Sequence, residues 1–275
     1  MANRLLLISD LDGTLLDNRK NIPAKALEAL ERFTQAGGLF TVATGRTEDT
    51  CRLATDILPV NAPVILYNGA SIMDLPSRKV LYDCTLEAAR FRPLVSDLIS
   101  RFPELCVEIF AYGPLILVNP DQIMDPYILR ENQPYQMQAL EATPERWLKI
   151  MLSAPKPRLI EIEAYLDTVM DLYPDCSRFF SADYYYELLP MGCNKGACAR
   201  WLSSYLQIPQ ADTAAVGDHM NDQEILSWTG YSFVPANADP RVKVLAQVLP
   251  ASNDDGAIAW AVEKLLPLLR EENES

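Results

Sequence analysis

The chain has 275 residues, 49% of them hydrophobic, and 24 basic residues against 37 acidic ones leave a formal charge of −13. That length buries a substantial core as one large domain or two smaller ones, and the acidity, with no Lys/Arg cluster, argues against nucleic acid as a partner. Six scattered cysteines without a C-x-x-C pair, and one histidine (His219), argue against a structural zinc site and a disulfide framework.

No run approaches 18 apolar residues, and the N-terminus lacks the apolar core of a signal peptide. A soluble cytoplasmic protein with no membrane partner is expected. The tail "REENES" reads as frayed and solvated.

In chain order, "RLLLIS" reads as a strand buried on both faces. "PAKALEALERFTQAG" has helical spacing (Ala26, Leu27, Leu30, Phe33), with Pro23 near its start and Gly37-Gly38 stopping it. "LFTVAT" is the next strand, "TEDTCRLATDIL" the next helix and "PVILYN" a third strand. This rhythm predicts right-handed crossovers and a parallel sheet with helices on both faces.

After about residue 82 the pattern changes. "ELCVEIFAY" and "PLILVN" flank Gly113-Pro114 as a hairpin, and "RFFS" and "YYYELLP" flank "AD" as another. Helical stretches around 87–101 and 158–172 and a strand at "KIMLSA" complete an α+β unit. From about 190 the first rhythm returns: helix "KGACARWLSSYL", strand "TAAVG", helix "DQEILSW", strand "YSFVP" and a last helix through "AIAWAVEKLLPLL". The expected fold is an α/β, doubly wound, Rossmann-like core with a parallel sheet (1–82 and 189–275), interrupted by an inserted α+β domain (83–188).

Carboxylates crowd the end of the first strand in "LLLISDLDGTLLD". Asp10 sits at the strand's carboxyl end, where open α/β sheets bind ligands, and Asp12 follows at i+2, the same side of an extended segment. Two carboxylates about 4 Å apart repel by roughly 4 kcal/mol at an effective dielectric near 20. A bound divalent cation or a proton reverses that cost, and an oxygen-rich site suits magnesium.

The second strand ends in Thr44-Gly45, a hydroxyl and a close-approach backbone before a helix N-terminus, which suits a phosphate as well as a plain turn. Lys195 opens a helix, an unfavourable place for a cation unless anions face it. "TAAVGDHMND" repeats the opening theme, with Asp218, Asn221 and Asp222 on the turn after a strand. Taken alone, Asn221 also reads as an N-cap and Asp222 as an N-terminal helix charge. His219 reads as a bystander.

Four segments, Asp10-Leu11-Asp12-Gly13-Thr14-Leu15, Thr44-Gly45-Arg46, Lys195-Gly196 and Gly217-Asp218-His219-Met220-Asn221-Asp222, together resemble the four motifs of the haloacid dehalogenase (HAD) superfamily of phosphohydrolases. "YNGA" at 67–70, the insert, "YYYELLPMGCNKG" and "NDDGAIAWAVEKLL" resemble its Cof-type branch with a large cap. The resemblance implies a phosphoric monoester hydrolase with Asp10 as nucleophile and Asp12 as acid and base. It implies Mg2+ held by Asp10, the Asp12 carbonyl and Asp218, supported by Asn221 and Asp222, with Thr44, Gly45 and Lys195 on the phosphate. The implied partner is a small phosphorylated metabolite, a sugar phosphate first, chosen by the cap. A phosphosugar mutase and a non-catalytic phospho-acceptor regulator are the alternatives, and the oligomeric state stays open.

Overall fold

The structure, a computed structural model, describes residues 4–119 and 133–270, so the acidic tail lies outside the described residues. β1 (Leu6–Ser9) is buried at every position, as an unbroken apolar run covered on both faces requires. α1 (Ala24–Gln35) buries Ala26, Ala29, Leu30 and Phe33, one helical stripe. β2 (Leu39–Val42) pairs parallel with β1, Ser9 opposite Val42. Thr47 caps α2 (Glu48–Thr55), accepting from the Thr50 N–H, and Glu48 and Asp49 occupy its first turn.

The third strand departs from the expected rhythm. β3 (Val64–Leu66) touches the parallel sheet through the Ala43–Ile65 bridge, then pairs antiparallel with β4 (Ser71–Asp74), beyond which lies β5 (Lys79–Asp83). The cause is local. Tyr67, Asn68 and Gly69 have φ of 53°, 57° and 100°, which reverses the chain directly after Leu66.

The second unit runs through β6 (Leu86–Glu87), α3 (Ala88–Arg101), β7 (Cys106–Phe110), β8 (Leu115–Leu117), β9 (Tyr135–Met137), β10 (Arg146–Trp147), β11 (Lys149–Ser153), α4 (Lys156–Val169), β12 (Cys176–Ala182) and β13 (Tyr185–Pro190). Its main sheet has the order β12-β13-β11-β7-β8-β9, antiparallel except for β8–β9. Val107, Ile109, Ile150, Leu152, Tyr186 and Leu188 share one core with Phe91 and Leu98 of α3 and Leu159 and Ile162 of α4. The alternate positions point to the other face. There the Lys149 Nζ lies 3.0 Å from the Glu187 Oε2, and the Ser153 hydroxyl donates to Glu108 at 2.6 Å.

The chain then continues as α5 (Lys195–Leu206), β14 (Thr213–Val216), α6 (Gln223–Trp228), β15 (Tyr231–Val234), α7 (Pro240–Lys243), β16 (Gln247–Val248) and α8 (Ala257–Arg270). The five-stranded sheet has the order β16-β15-β14-β1-β2 and is parallel throughout. Residues to Tyr82 and from Asn194 form one compact unit, and Asp83–Cys193 the other. The return falls at Asn194 rather than 189 because β13 stays in the second sheet to Pro190, whose carbonyl then accepts from the Cys193 N–H. No helix among the described residues is long and apolar enough to cross a membrane.

Candidate active site

β14, β1 and β2 are adjacent and parallel, so the segments leaving their carboxyl ends share one edge. Asp10 directly follows β1, and its N–H donates to the Val216 carbonyl at 2.9 Å. Thr44 lies two residues beyond β2 and Asp218 two beyond β14. Gly13, at φ +78°, is what lets these loops close up: a Cβ there would stand 2.5 Å from the Asp218 Oδ2. The Thr14 hydroxyl next to it donates to the Asp218 Oδ1 at 2.7 Å.

Lys195, the first residue of α5, is 1% exposed. Its ammonium sits 2.9 Å from the Asp10 Oδ1 and 2.7 Å from the Asp222 Oδ1. The two carboxylates explain a cation at the positive end of a helix. Asn194 sets the helix start, its side chain accepting from the Ala197 N–H at 2.7 Å. The Asp222 Oδ2 accepts the Asp218 and His219 N–H groups at 2.9 and 3.2 Å, so this carboxylate shapes the loop that carries Asp218.

Burial pushes the Asp10 carboxyl well above the usual range; Lys195 opposes this, while Asp222 and Asp218 add to it. Burial, then Asp222, pushes Asp218 up to about 7. Burial alone would lower the Lys195 pKa, but Asp10 and Asp222 outweigh it and raise the value.

The Asp12 side chain has partners of its own, while staying near enough to Asp10 to add to the rise of its pKa. Gly13 ends the extended segment, and Arg46 takes Asp12 with a two-pronged grip, Nε to Oδ2 and Nη2 to Oδ1, both 2.8 Å. Arg46 is 5% exposed and also donates to the Thr50 carbonyl. The Lys20 Nζ reaches the Asp12 Oδ1 at 2.5 Å. Burial favours the neutral acid, yet the Arg46 and Lys20 contacts hold Asp12 well below the usual carboxylate range. Sequence reasoning gave neither cation a role. Arg46 stood in plain view after Thr44-Gly45, whereas nothing in the pattern marked Lys20.

Asp10, Asp218 and Asp222 each offer an oxygen within 4.8 Å of the others. Three hard oxygen donors with one lysine leave a net negative site that fits a small divalent cation. A further polar atom is spare: the Asn221 Nδ2 donates to Asn68 at 3.1 Å, while its Oδ1 is buried and accepts no hydrogen bond among the described residues. His219 lies at the rim, 4.0 Å from Asp239. Thr44 is buried, and its Oγ1 accepts the Arg46 N–H at 3.2 Å. Gly45 lies against Asn68, where a Cβ would come within 3.0 Å of the amide.

Three carboxylates and a buried lysine thus gather at the carboxyl edge of an open parallel sheet. Residues 7–262 match the haloacid dehalogenase-like hydrolases, and the chain belongs to that family. It is a phosphoric monoester hydrolase of the HAD type. An HMP-PP phosphatase of Yersinia enterocolitica is 31% identical over 238 residues, covering 85% of this chain and 84% of that protein. A haloacid dehalogenase-like hydrolase from Bacteroides thetaiotaomicron superposes with a TM-score of 0.83 at 24% identity, covering 96% and 100% of the two chains. The HAD subclass IIB sugar phosphatase BT4131 shares the fold at a TM-score of 0.79 and 17% identity, covering 95% and 98%.

Proposed function

We propose that this phosphatase is magnesium-dependent and removes phosphate from a small phosphorylated metabolite through an aspartyl-phosphate on Asp10. The observation that carries the reading is Lys195, buried between Asp10 and Asp222 beside Asp218 at one sheet edge. The Asp10 Oδ1 accepts from Lys195 and from the Leu11 N–H, which leaves Oδ2 to attack phosphorus. The bond from phosphorus to the leaving oxygen breaks, and its electron pair stays on that oxygen.

Asp12, ionised against Arg46 and Lys20 in the free enzyme, takes a proton from solvent once the anionic phosphate offsets those cations; it gives that proton to the leaving oxygen, then takes one from the water that hydrolyses the acyl phosphate. Thr44 Oγ1 already accepts from Arg46, so its own proton is directed to a phosphoryl oxygen. Gly45 and Lys195 share that anion. Asp10, Asp218 and the Asp12 carbonyl would hold magnesium, whose charge would screen an anionic nucleophile from an anionic ester. Asn221 and Asp222 would support the ion, directly or, for Asp222, by holding the loop that carries Asp218. The second unit selects the leaving group.

A sugar phosphate is the first substrate class, and the likeness to HMP-PP phosphatases puts their substrate on the same panel. The test is phosphate release from a panel of phosphorylated metabolites, with magnesium and after chelation. Release that needs the metal is expected. Turnover that persists without divalent metal, or no release from any substrate, overturns the reading.

A further inference from the structure

We propose that Asn68, which lies outside the four motifs, is a positioning residue of the active site: it turns the Asn221 amide so that the oxygen, and not the nitrogen, is offered to the divalent cation. The inference rests on the magnesium reading above and deepens it.

The first observation is the direction of one side chain. An amide ends in an oxygen that attracts a cation and an NH2 group that repels one, and the two ends are nearly alike in shape. Asn221 sits on the turn that carries Asp218 and Asp222. Its Nδ2 donates to the Asn68 Oδ1 at 3.1 Å, while its Oδ1 is buried and accepts no hydrogen bond among the described residues. Asn68 engages the nitrogen, so the oxygen is the end left for another partner. A buried acceptor without a donor is costly, and a hard cation would satisfy it.

The second observation is the residue type at position 68. Its φ of 57° and ψ of 28° are left-handed, a conformation that glycine adopts without steric cost. Gly69, beside it at φ +100°, serves the turn in that way. Asparagine tolerates the left-handed region and still carries an acceptor. At 3% exposed, that acceptor is kept from water.

The third is that the turn is held from several sides. The Thr44 N–H donates to the Ile65 carbonyl, and the Thr44 carbonyl accepts the Asn68 N–H, both at 2.9 Å. Gly45 packs so closely on the Asn68 amide that a Cβ there would come within 3.0 Å of it. A Cβ on Gly69 would stand 2.4 Å from the Asn194 carbonyl, and the Gly69 carbonyl accepts the Cys198 thiol at 2.9 Å. The turn is thereby fastened to the segments that carry Thr44 and Lys195, and through Asn68 it reaches the one that carries Asp218. Without the Asn68 acceptor, the Asn221 amide is free to rotate and to present its NH2 group instead.

The test is a double-mutant cycle on magnesium affinity, read by isothermal titration calorimetry of the full chain with magnesium chloride alone. It takes wild type, Asn68→Gly, Asn221→Ala and the pair. Glycine suits the backbone at position 68, so the acceptor is removed without strain. Asn68→Gly should weaken magnesium binding about 10- to 100-fold, the usual weight of a group that orients a metal ligand. Asn221→Ala should weaken it as well, and adding Asn68→Gly to it should cost less than about 2-fold more, because Asn68 acts through Asn221. Asn68→Asp keeps an acceptor on the same backbone and should bind magnesium no more weakly than wild type.

Equal losses from Asn68→Gly in the two backgrounds would mean that Asn68 shapes the loops and not the amide, and would overturn the inference. So would wild-type affinity in Asn68→Gly or in Asn221→Ala, a loss in Asn68→Asp as large as in Asn68→Gly, or an Asn68→Gly chain without a cooperative melting transition. Each of these leaves the magnesium-dependent phosphatase standing. A wild type that binds no magnesium overturns both.

Discussion

In the first unit the buried Lys195 lies between Asp10 and Asp222, which arrive on separate loops; in the second, the buried Lys149 lies against Glu187 on the neighbouring strand. The second pairing comes with strand register. Met151 opposes Glu187, and alternation puts Lys149 on the same face as that glutamate. The first has no such local cause. Asp10, Asp218 and Asp222 meet because three parallel strands end side by side, and their mutual repulsion is met only in part by one lysine. Charge gathered by topology at a sheet edge marks chemistry, whereas charge paired along a sheet is explained by the sheet.

The largest effect that would break this contrast is expected at Asp10, the proposed nucleophile. Asp10→Asn should lower turnover by more than about 10⁴-fold, with an unfolding midpoint close to wild type, since the amide keeps the shape and removes one repelling charge. A variant that loses both together would make Asp10 structural.

The two lysines sharpen the contrast directly. Each is one partner of a buried ion pair, so Lys195→Met and Lys149→Met should each cost about 3–5 kcal/mol in denaturant unfolding. Lys195→Met alone should also remove at least about 100-fold of the turnover of an aryl phosphate. Equal kinetic losses would erase the distinction.

The smallest effect is one the two units share. Burial raises the thiols of Cys51, in α2, and Cys176, in β12, to about 12. Unfolded thiols ionise near pH 8.5. The folded state therefore holds more protons than the unfolded one between about pH 8.5 and 12, and this part of the stability is complete below that window and declines as pH rises through it. Iodoacetamide at pH 8 should spare both cysteines until denaturant is added, and peptide mapping would read this out.

Much of this was legible because the informative residues sit where apolar runs stop. Asp10, Thr44 and Asp218 each follow a buried strand, and Lys195 opens a helix. The return at Asn194 was less legible, since the apolar end of β13 looks the same in either unit. The reversal after β3 was hidden because its left-handed positions are a tyrosine and an asparagine. They are held there by Tyr67 N–H to the Arg46 carbonyl and Asn68 N–H to the Thr44 carbonyl, contacts that exist only after folding. Arg46 and Lys20 escaped for a related reason. A long cationic side chain chooses its partner by tertiary reach, which no periodicity records.

The loop carrying Asp12, the proposed acid, has its anchors more than 200 residues further along the sequence. Asn18 is fastened to Asp254 across 236 positions, the Asn253 amide holds the Leu16 carbonyl, and Asn237 reaches back to the Gly13 carbonyl. A nascent chain therefore has β1 and Asp10 long before the fastenings for residues 13–18 have been synthesised. A chain cut short before residue 250 would carry all four motifs and still lack the fastenings of Leu16 and Asn18.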